Sequence, residues 1–174
     1  RLEEIKGMDL VVPAFAQVKK RYPDTRLVIV GEGSLRVKMQ RQAQEFDCTD
    51  NVEWAGRQPQ ERLMEWYRRM DIVLMPSRSE GFGLTAIEAM ANGCVVVASR
   101  TGGLPEVVQD GEVGLLHEVG SIDDMANKII SLIATPELLQ KYSSDAIRYV
   151  RRYSFERYSQ LFNDLYKRLV TAKR

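Results

Sequence analysis

The stretch Ile72-Val-Leu-Met-Pro-Ser-Arg-Ser-Glu80-Gly-Phe-Gly-Leu-Thr-Ala-Ile-Glu88-Ala-Met90 contains a short apolar run, a loop with two glycines and a mostly apolar helical pattern. The run at 72–75 is typical of a buried strand, and the pattern after the second glycine predicts a helix that begins near Leu84. Glycines before a helix let the backbone come close to a ligand, and the amides at a helix start attract anions. The stretch therefore predicts an anion-binding loop between a strand and a helix.

Three further apolar runs, at residues 27–30, 52–54 and 95–98, alternate with stretches whose apolar residues recur at helical spacing. This alternation predicts an α/β fold with an open, doubly wound parallel sheet, followed by a helical C-terminal tail. Ser34 is expected to cap the helix that follows the run at 27–30. In such sheets ligands bind outside the carboxyl ends of the strands, so the loops after the strands are the candidate site.

The composition excludes several kinds of partner. The 174 residues fit one ordinary domain, and 25 basic and 24 acidic side chains give a net charge of +1. Because this balance provides no broad field, no nucleic-acid partner is expected. No apolar run approaches the roughly 20 residues of a membrane span, so no transmembrane segment is predicted, although peripheral attachment of a longer protein to a membrane stays open. Cys48 and Cys94 lie far apart without CxxC spacing, and Cys94 begins an apolar run, so we expect its thiol to pack as a small apolar group and the protein to occupy a reducing cytoplasm.

Two carboxylates belong to the glycine-containing stretch. Glu80 lies at the mouth of the loop, and Glu88 lies inside the expected helix. Both could accept charge-assisted hydrogen bonds from the hydroxyls of a sugar or a ribose. The alternative is that Glu80 only favours the positive end of the helix and that Glu88 is solvated. Because Ile87 and Ala89 make the surroundings of Glu88 apolar, an unpaired carboxylate there would be costly, and we expect it to have a partner.

The remaining loops leave alternatives open. Gly102-Gly103 follows the run at 95–98 and is either a tight turn or a ligand contact. The Gly31-Glu32-Gly33 loop lacks the third glycine of a dinucleotide fingerprint, because Arg36 stands at that position. Lys6, just before the first helix, either reaches a phosphate or is solvated. His117 is the only histidine, and we expect it to be solvated rather than to act as a general base.

The segment Pro76-Ser-Arg-Ser-Glu80-Gly-Phe-Gly-Leu-Thr-Ala-Ile-Glu88-Ala-Met-Ala91, followed by Gly93, resembles the Glu-x7-Glu signature of the family 4 retaining glycosyltransferases. The resemblance extends over nearly the whole chain, including Arg1-Leu2 with Lys6-Gly7 and the loop at 102–106. It implies the GT-B fold, in which two Rossmann-like domains face each other across a cleft. Residues 1–174 would then be the nucleotide-sugar donor-binding C-terminal domain, a fragment that lacks the N-terminal acceptor domain.

The resemblance also implies a role for each matching residue. Glu80 would be the catalytic residue near the reacting carbon, either as a nucleophile or, as we favour, as the group that orients the sugar. Glu88 would hold the ribose hydroxyls. The donor diphosphate would be bound by Arg1, Lys6 and the amides of Phe82, Gly83 and Leu84, and the base would lie near Gly31, Arg57 and Gln58. No metal and no cofactor are implied, since basic residues and helix ends would neutralise the departing diphosphate.

The implied function is binding of a nucleotide diphosphate sugar and, in the full-length enzyme, metal-independent retaining transfer of a hexosyl group to a hydroxyl. A carbohydrate or lipid-linked acceptor would bind through the N-terminal domain, so the fragment alone is expected to be inactive. The alternative is a noncatalytic nucleotide-sugar-binding or regulatory module of the same fold. A nicotinamide-dependent oxidoreductase is disfavoured because the GxGxxG loop is missing, and a glycosidase because Glu80 lacks a partner acid.

Overall fold

A computed structural model of the chain describes residues 1–171, so the last three residues of the expected 1–174 domain lie outside the described part. The strands are β1 (Leu27–Val30), β2 (Val52–Gly56), β3 (Ile72–Met75), β4 (Val95–Ser99) and β5 (Gly114–His117). The helices are α1 (Val11–Arg21), α2 (Arg36–Glu45), α3 (Gln60–Tyr67), α4 (Leu84–Ala91), α5 (Leu104–Val107), α6 (Ile122–Ala134), α7 (Pro136–Val150) and α8 (Phe155–Thr171). Strands and helices alternate as far as β5, and the last three helices form the C-terminal part.

All strand pairs are parallel, as expected, but the described strands form two sheets. β1 pairs with β2, whereas β3, β4 and β5 form a second sheet with β4 in the middle. The parallel order is therefore interrupted between β1 and β3. β5 is absent from the strands expected from the sequence, because its segment has only two apolar residues between a glycine and a histidine.

β4 lies at the centre of the core, and all of its residues are buried. Successive side chains of a strand point to opposite faces, so Val96 and Ala98 join one apolar cluster while Val95 and Val97 join another. The first cluster is completed by α4 and α7, and the second by α1 and α6. A third cluster packs β1 and β2 against α1 and α2. Helices thus cover both faces of the sheet, as a doubly wound fold requires.

The start of α2 differs from the expectation. The helix begins at Arg36 after Leu35, without a side-chain cap. The hydroxyl of Ser34 donates to a carboxylate oxygen of Glu3 at 2.6 Å, and the Ser34 amide donates to the other oxygen at 3.0 Å. The prediction that Ser34 caps this helix is wrong, because a distant charged acceptor holds it in the preceding turn.

The last helix, α8, leaves one apolar side uncovered. Its start is capped by Ser154, whose hydroxyl oxygen accepts from the amide of Arg157 at 3.3 Å. Phe155, Leu161 and Leu165 are more than half exposed on this helix.

Among residues 1–171, no helix combines the length and the apolar character that crossing a bilayer requires.

Candidate functional site

The first seven residues cross the carboxyl ends of β1 and β3. The amide of Leu2 donates to the carbonyl of Glu32, two residues beyond β1, at 2.9 Å. At the other end of the segment Gly7 has a φ of 65°, and a Cβ there would lie 1.9 Å from the carbonyl oxygen of Pro76, just after β3. Only glycine fits such a close approach with a positive φ. Lys6 is therefore held between the two strand ends.

Arg78 fastens the same segment to the loop after β3. Its guanidinium donates to both carboxylate oxygens of Asp9, at 2.7 and 2.9 Å, and to the carbonyl of Glu4 at 2.6 Å. Its amide donates to the carbonyl of Ile5 at 2.9 Å. The hydrogen bonds from Arg78 hold the pKa of the Asp9 carboxyl below its usual range. No local pattern predicts this contact, because the partners are 69 residues apart in the chain.

Lys6 and Glu80 form an ion pair at the mouth of the candidate site. The Lys6 ammonium donates to Oε2 of Glu80 at 2.8 Å, and the hydroxyl of Ser77 lies 3.4 Å from the same oxygen. The side chains of Lys6 and Glu80 are 29% and 16% exposed. Lys6 is thus not a solvated surface lysine. The contact places a cation and a hydrogen-bond acceptor side by side.

Glu88 has a partner, as its apolar neighbours predict. The hydroxyl of Tyr67, the last residue of α3, donates to Oε2 of Glu88 at 3.2 Å. Burial and then the charge of Glu88 raise the pKa of the Tyr67 hydroxyl, which therefore stays protonated at neutral pH. Sequence reasoning missed Tyr67 as a site residue, since its spacing in α3 indicates only an apolar helical face.

Gly102 and Gly103 support the loop that carries Glu80. A Cβ on Gly102 would lie 1.8 Å from the carbonyl oxygen of Glu80, and one on Gly103 would lie 2.6 Å from the carbonyl oxygen of Gly81. The amide of Gly103 also donates to the carbonyl of Glu80 at 3.2 Å. The glycine pair thus lets two backbones meet, and this contact fixes the position of Glu80.

The start of α4 follows the same loop. Gly83 precedes the helix with a φ of 98°, which favours glycine, and its carbonyl accepts from the amide of Ala86 at 2.9 Å. Among residues 1–171, no hydrogen bond is formed by the amides of Gly83 and Leu84, so they are available to an anion. The side chains of Phe82 and Leu84 are 44% and 66% exposed.

A cavity of about 1260 Å³ opens at this edge of the sheets. It brings together seven of the ten expected site residues, namely Arg1, Lys6, Gly31, Arg57, Gln58, Glu80 and Glu88. The other three, Phe82, Gly83 and Leu84, do not line it. The loop after β1 is tied to the end of β2 by the amide of Gly31, which donates to the carbonyl of Gly56 at 2.7 Å.

His117 lies outside this cavity, and the expectation that it is solvated is wrong. It ends β5 and is completely buried, with Nδ1 2.9 Å from the carbonyl oxygen of Glu118. Burial lowers the pKa of the imidazole, so the ring is neutral at neutral pH. The sequence does not predict β5, so it does not predict that the ring of His117, at the end of this strand, is buried. Cys94 is also buried, which raises the pKa of its thiol to about 11.

Metal ligands are not clustered in the described part of the chain. Within residues 1–171 there is no group of three or more His, Cys, Asp or Glu side chains that could hold a metal ion.

Residues 1–149 match the family described as glycosyl transferases group 1. The chain belongs to this family. Among its relatives, the D-inositol 3-phosphate glycosyltransferase of Segniliparus rotundus is 37% identical over 160 residues, which cover 90% of this chain and 36% of the relative. The chain thus spans well under half the length of that glycosyltransferase.

Solved glycosyltransferase structures resemble the chain over most of its length. HepE from Anabaena, in complex with UDP, has a TM-score of 0.85 and 26% identity over 96% of this chain and 47% of its own. The C-terminal domain of LpcC, a group 1 family glycosyl transferase from Francisella tularensis, has a TM-score of 0.80 and 29% identity over 88% of this chain and 82% of its own. The expected fold, the Rossmann-like C-terminal half of a GT-B glycosyltransferase, is confirmed.

Proposed function

We propose that this domain binds a nucleotide diphosphate sugar and that, within the full-length protein, it supports metal-independent transfer of a hexosyl group to a hydroxyl with retention. The observation that carries the proposal is the 2.8 Å contact between Lys6 and Glu80 at the mouth of a cavity that Glu88 also lines. A cation suited to a diphosphate and two acceptors suited to hydroxyls thereby share one cavity. The UDP complex of HepE supports the same class of donor.

The donor would lie along the cavity with its ribose at Glu88. A carboxylate that accepts hydrogen bonds from two ribose hydroxyls contributes about 1.5–3 kcal/mol per bond where water is excluded. Tyr67 already donates to one oxygen of Glu88, so it keeps the carboxylate in a fixed orientation. The base would lie against the loops after β1 and β2, at Gly31, Arg57 and Gln58.

The diphosphate would draw Lys6 away from Glu80. Arg1, Lys6 and the amides of Phe82, Gly83 and Leu84 would then neutralise the charge that develops on the departing diphosphate, which makes a metal ion unnecessary. Glu80 is at the same time released to accept hydrogen bonds from the sugar. The acceptor oxygen would bond to the anomeric carbon on the face that the diphosphate leaves, and the acceptor proton would pass to the departing phosphate oxygen.

The acceptor would be a carbohydrate or lipid-linked hydroxyl bound by an N-terminal domain. The relatives that match this chain are more than twice as long, which supports a second domain that faces the cavity. We place the reaction in the reducing cytoplasm, because both cysteines, Cys48 and Cys94, are buried free thiols.

Calorimetric titration with uridine, guanosine and adenosine diphosphates tests the donor site in the full-length protein. Glu88→Ala is expected to weaken binding of the cognate diphosphate about tenfold or more, since at least one charged hydrogen bond is lost. Glu80→Ala is expected to leave diphosphate binding intact, because it only frees Lys6, while it abolishes sugar transfer. Glu45→Ala, an exposed position at the end of α2, is the matched control.

The outcomes separate the candidate roles. If none of the three diphosphates binds, the donor site is refuted. Transfer that survives in Glu80→Ala would instead support a noncatalytic role for that carboxylate. Equal losses of binding in both variants would contradict the division between ribose and sugar.

A further inference from the structure

The backbone on both sides of Lys6 is bonded to a single residue of another loop, Arg78. The guanidinium of Arg78 donates to the carbonyl of Glu4 at 2.6 Å and to the two carboxylate oxygens of Asp9 at 2.7 and 2.9 Å. The amide of Arg78 donates to the carbonyl of Ile5 at 2.9 Å. Two of these partners precede Lys6 in the chain and one follows it, so Arg78 holds the segment on either side of the lysine.

Arg78 also belongs to the loop that carries Glu80, two residues further along the chain. The carbonyl of Arg78 accepts from the hydroxyl of Thr101 at 3.3 Å, which ties the start of this loop to the loop after β4. The 2.8 Å contact between Lys6 and Glu80 therefore joins two segments that Arg78 already connects. Arg78 is thus placed to set where Lys6 stands relative to Glu80.

The guanidinium of Arg78 is not itself placed to bind the donor. Lys6 and Glu80 line the cavity, whereas Arg78 and Asp9 do not. Both carboxylate oxygens of Asp9 accept from the guanidinium, and a contact of this kind fixes orientation as well as distance. Any effect of Arg78 on a ligand in the cavity must therefore pass through the residues that it holds.

We propose that Arg78 is a positioning residue for the donor diphosphate, which acts by holding Lys6 in place before the donor binds. This inference rests on the proposed function. Because the segment is already ordered, binding does not have to order it, and affinity that would otherwise be lost is retained. Lysine at position 78 would not be equivalent, since an ammonium lacks the planar set of donors that matches a carboxylate.

Calorimetric titration of the full-length protein tests whether Arg78 acts through Lys6. The titrant is whichever of uridine, guanosine and adenosine diphosphates binds the unaltered protein. Lys6→Ala is expected to weaken binding about tenfold or more, and Arg78→Met about fivefold. The double variant should bind no more weakly than Lys6→Ala alone, because the effects of residues that act through one contact do not add. A purely structural loss would appear in both backgrounds.

Hydrogen exchange provides a second measurement that needs no ligand. The amides of Lys6 and Gly7 donate to the carbonyls of Glu3 and Glu4 at 3.0 and 2.8 Å. Both are expected to exchange about tenfold faster in Arg78→Met, because the segment opens more often when it is not held. Arg148→Met is the matched control, since it removes a contact between an arginine and Asp145 on α7, outside the cavity. It should change neither exchange at these amides nor diphosphate binding.

The results distinguish this inference from the proposed function. If Arg78→Met weakens binding equally with and without Lys6, or leaves exchange at Lys6 and Gly7 unchanged, Arg78 does not position Lys6 and the inference is wrong, while the donor site stands. If the unaltered protein binds none of the three diphosphates, the proposed function is refuted and the inference is refuted with it.

Discussion

Lys6 and Glu80 are joined by a single hydrogen bond, from the ammonium to Oε2 at 2.8 Å. A ligand that binds Lys6 therefore has one contact to replace. A diphosphate that carries more charge than one carboxylate can therefore take over Lys6. The same contact holds the Glu80 carboxylate in one position at the mouth of the cavity. The contact thus holds a cation and a hydrogen-bond acceptor next to each other at the cavity.

The contact between Arg78 and Asp9 is a different case, because the guanidinium donates to both carboxylate oxygens, at 2.7 and 2.9 Å. Asp9→Asn is expected to lower the free energy of unfolding at pH 7 by about 1.5–3 kcal/mol, the contribution of hydrogen bonds to a charged group. The folded-state pKa of Asp9 lies below its usual 3.8, so its stabilisation is present above that value and is lost as the pH falls through the lower pKa. Urea unfolding of both proteins between pH 2 and pH 7 measures the difference.

The control for this pH dependence is Asp50→Asn, an exposed aspartate in the turn before β2. It should change the free energy of unfolding little at any pH. A loss at Asp9→Asn that stays constant from pH 7 to pH 2 would show that the carboxylate charge is not involved.

At the scale of single residues, local sequence patterns single out Glu80 and Glu88, but they do not indicate the contacts of Tyr67 and Arg78. Glu80 and Glu88 were identified because each follows a local pattern: a glycine loop, and a charge among apolar neighbours. Tyr67 and Arg78 were missed, because their contacts depend on how distant elements pack and leave no periodic signal. The same holds for Ser34, whose acceptor is 31 residues away in sequence.

At the scale of elements, the loop before α4 is held in place by the loop before α5. A Cβ on Gly102 would lie 1.8 Å from the carbonyl oxygen of Glu80, so there is no room for one, and the φ of Gly102 is 52°. Gly102→Ala is therefore expected to lower the free energy of unfolding by about 2–4 kcal/mol, through backbone strain and displacement of the Glu80 loop. Thermal unfolding measures this loss, and sugar transfer should fall with it.

Gly111→Ala is the matched control for this substitution. Gly111 also has a positive φ, of 76°, but nothing lies within 4 Å of the position its Cβ would take. It should show only the strain of the left-handed conformation, about 1–2 kcal/mol, and normal transfer. Equal losses of stability at the two glycines would mean that the contact with Glu80 is not what requires Gly102.

Elements were predicted where a local pattern is sufficient. The strand at 72–75 and the helix start near Leu84 appear where the sequence indicates, because apolar runs and glycine punctuation are local signals. β5 was missed, since its short apolar core becomes a strand only through pairing with β4. The interruption between β1 and β3 was not foreseen either, because sequence patterns do not specify which strands are neighbours.

At the scale of the whole molecule, the cations and the carboxylates that line the cavity come from different parts of the chain. Lys6 and Arg1 come from the N-terminal segment, whereas Glu80 and Glu88 come from the loop and helix after β3. Folding thus brings the N-terminal segment and the loop and helix after β3 to one edge. We propose that this division of charge allows a diphosphate to leave without a metal ion.

Removal of metal ions tests that division in the full-length protein. With excess EDTA, the rate of sugar transfer is expected to stay unchanged, because Lys6, Arg1 and the start of α4 supply the positive field. Lys6→Ala should lower kcat about 100-fold, the typical effect of losing one group that stabilises developing charge, whereas Lys38→Ala, on the exposed side of α2, should not. Activity that EDTA abolishes and Mg²⁺ or Mn²⁺ restores would show that the diphosphate leaves as a metal complex, and the proposed role of Lys6 would then be wrong.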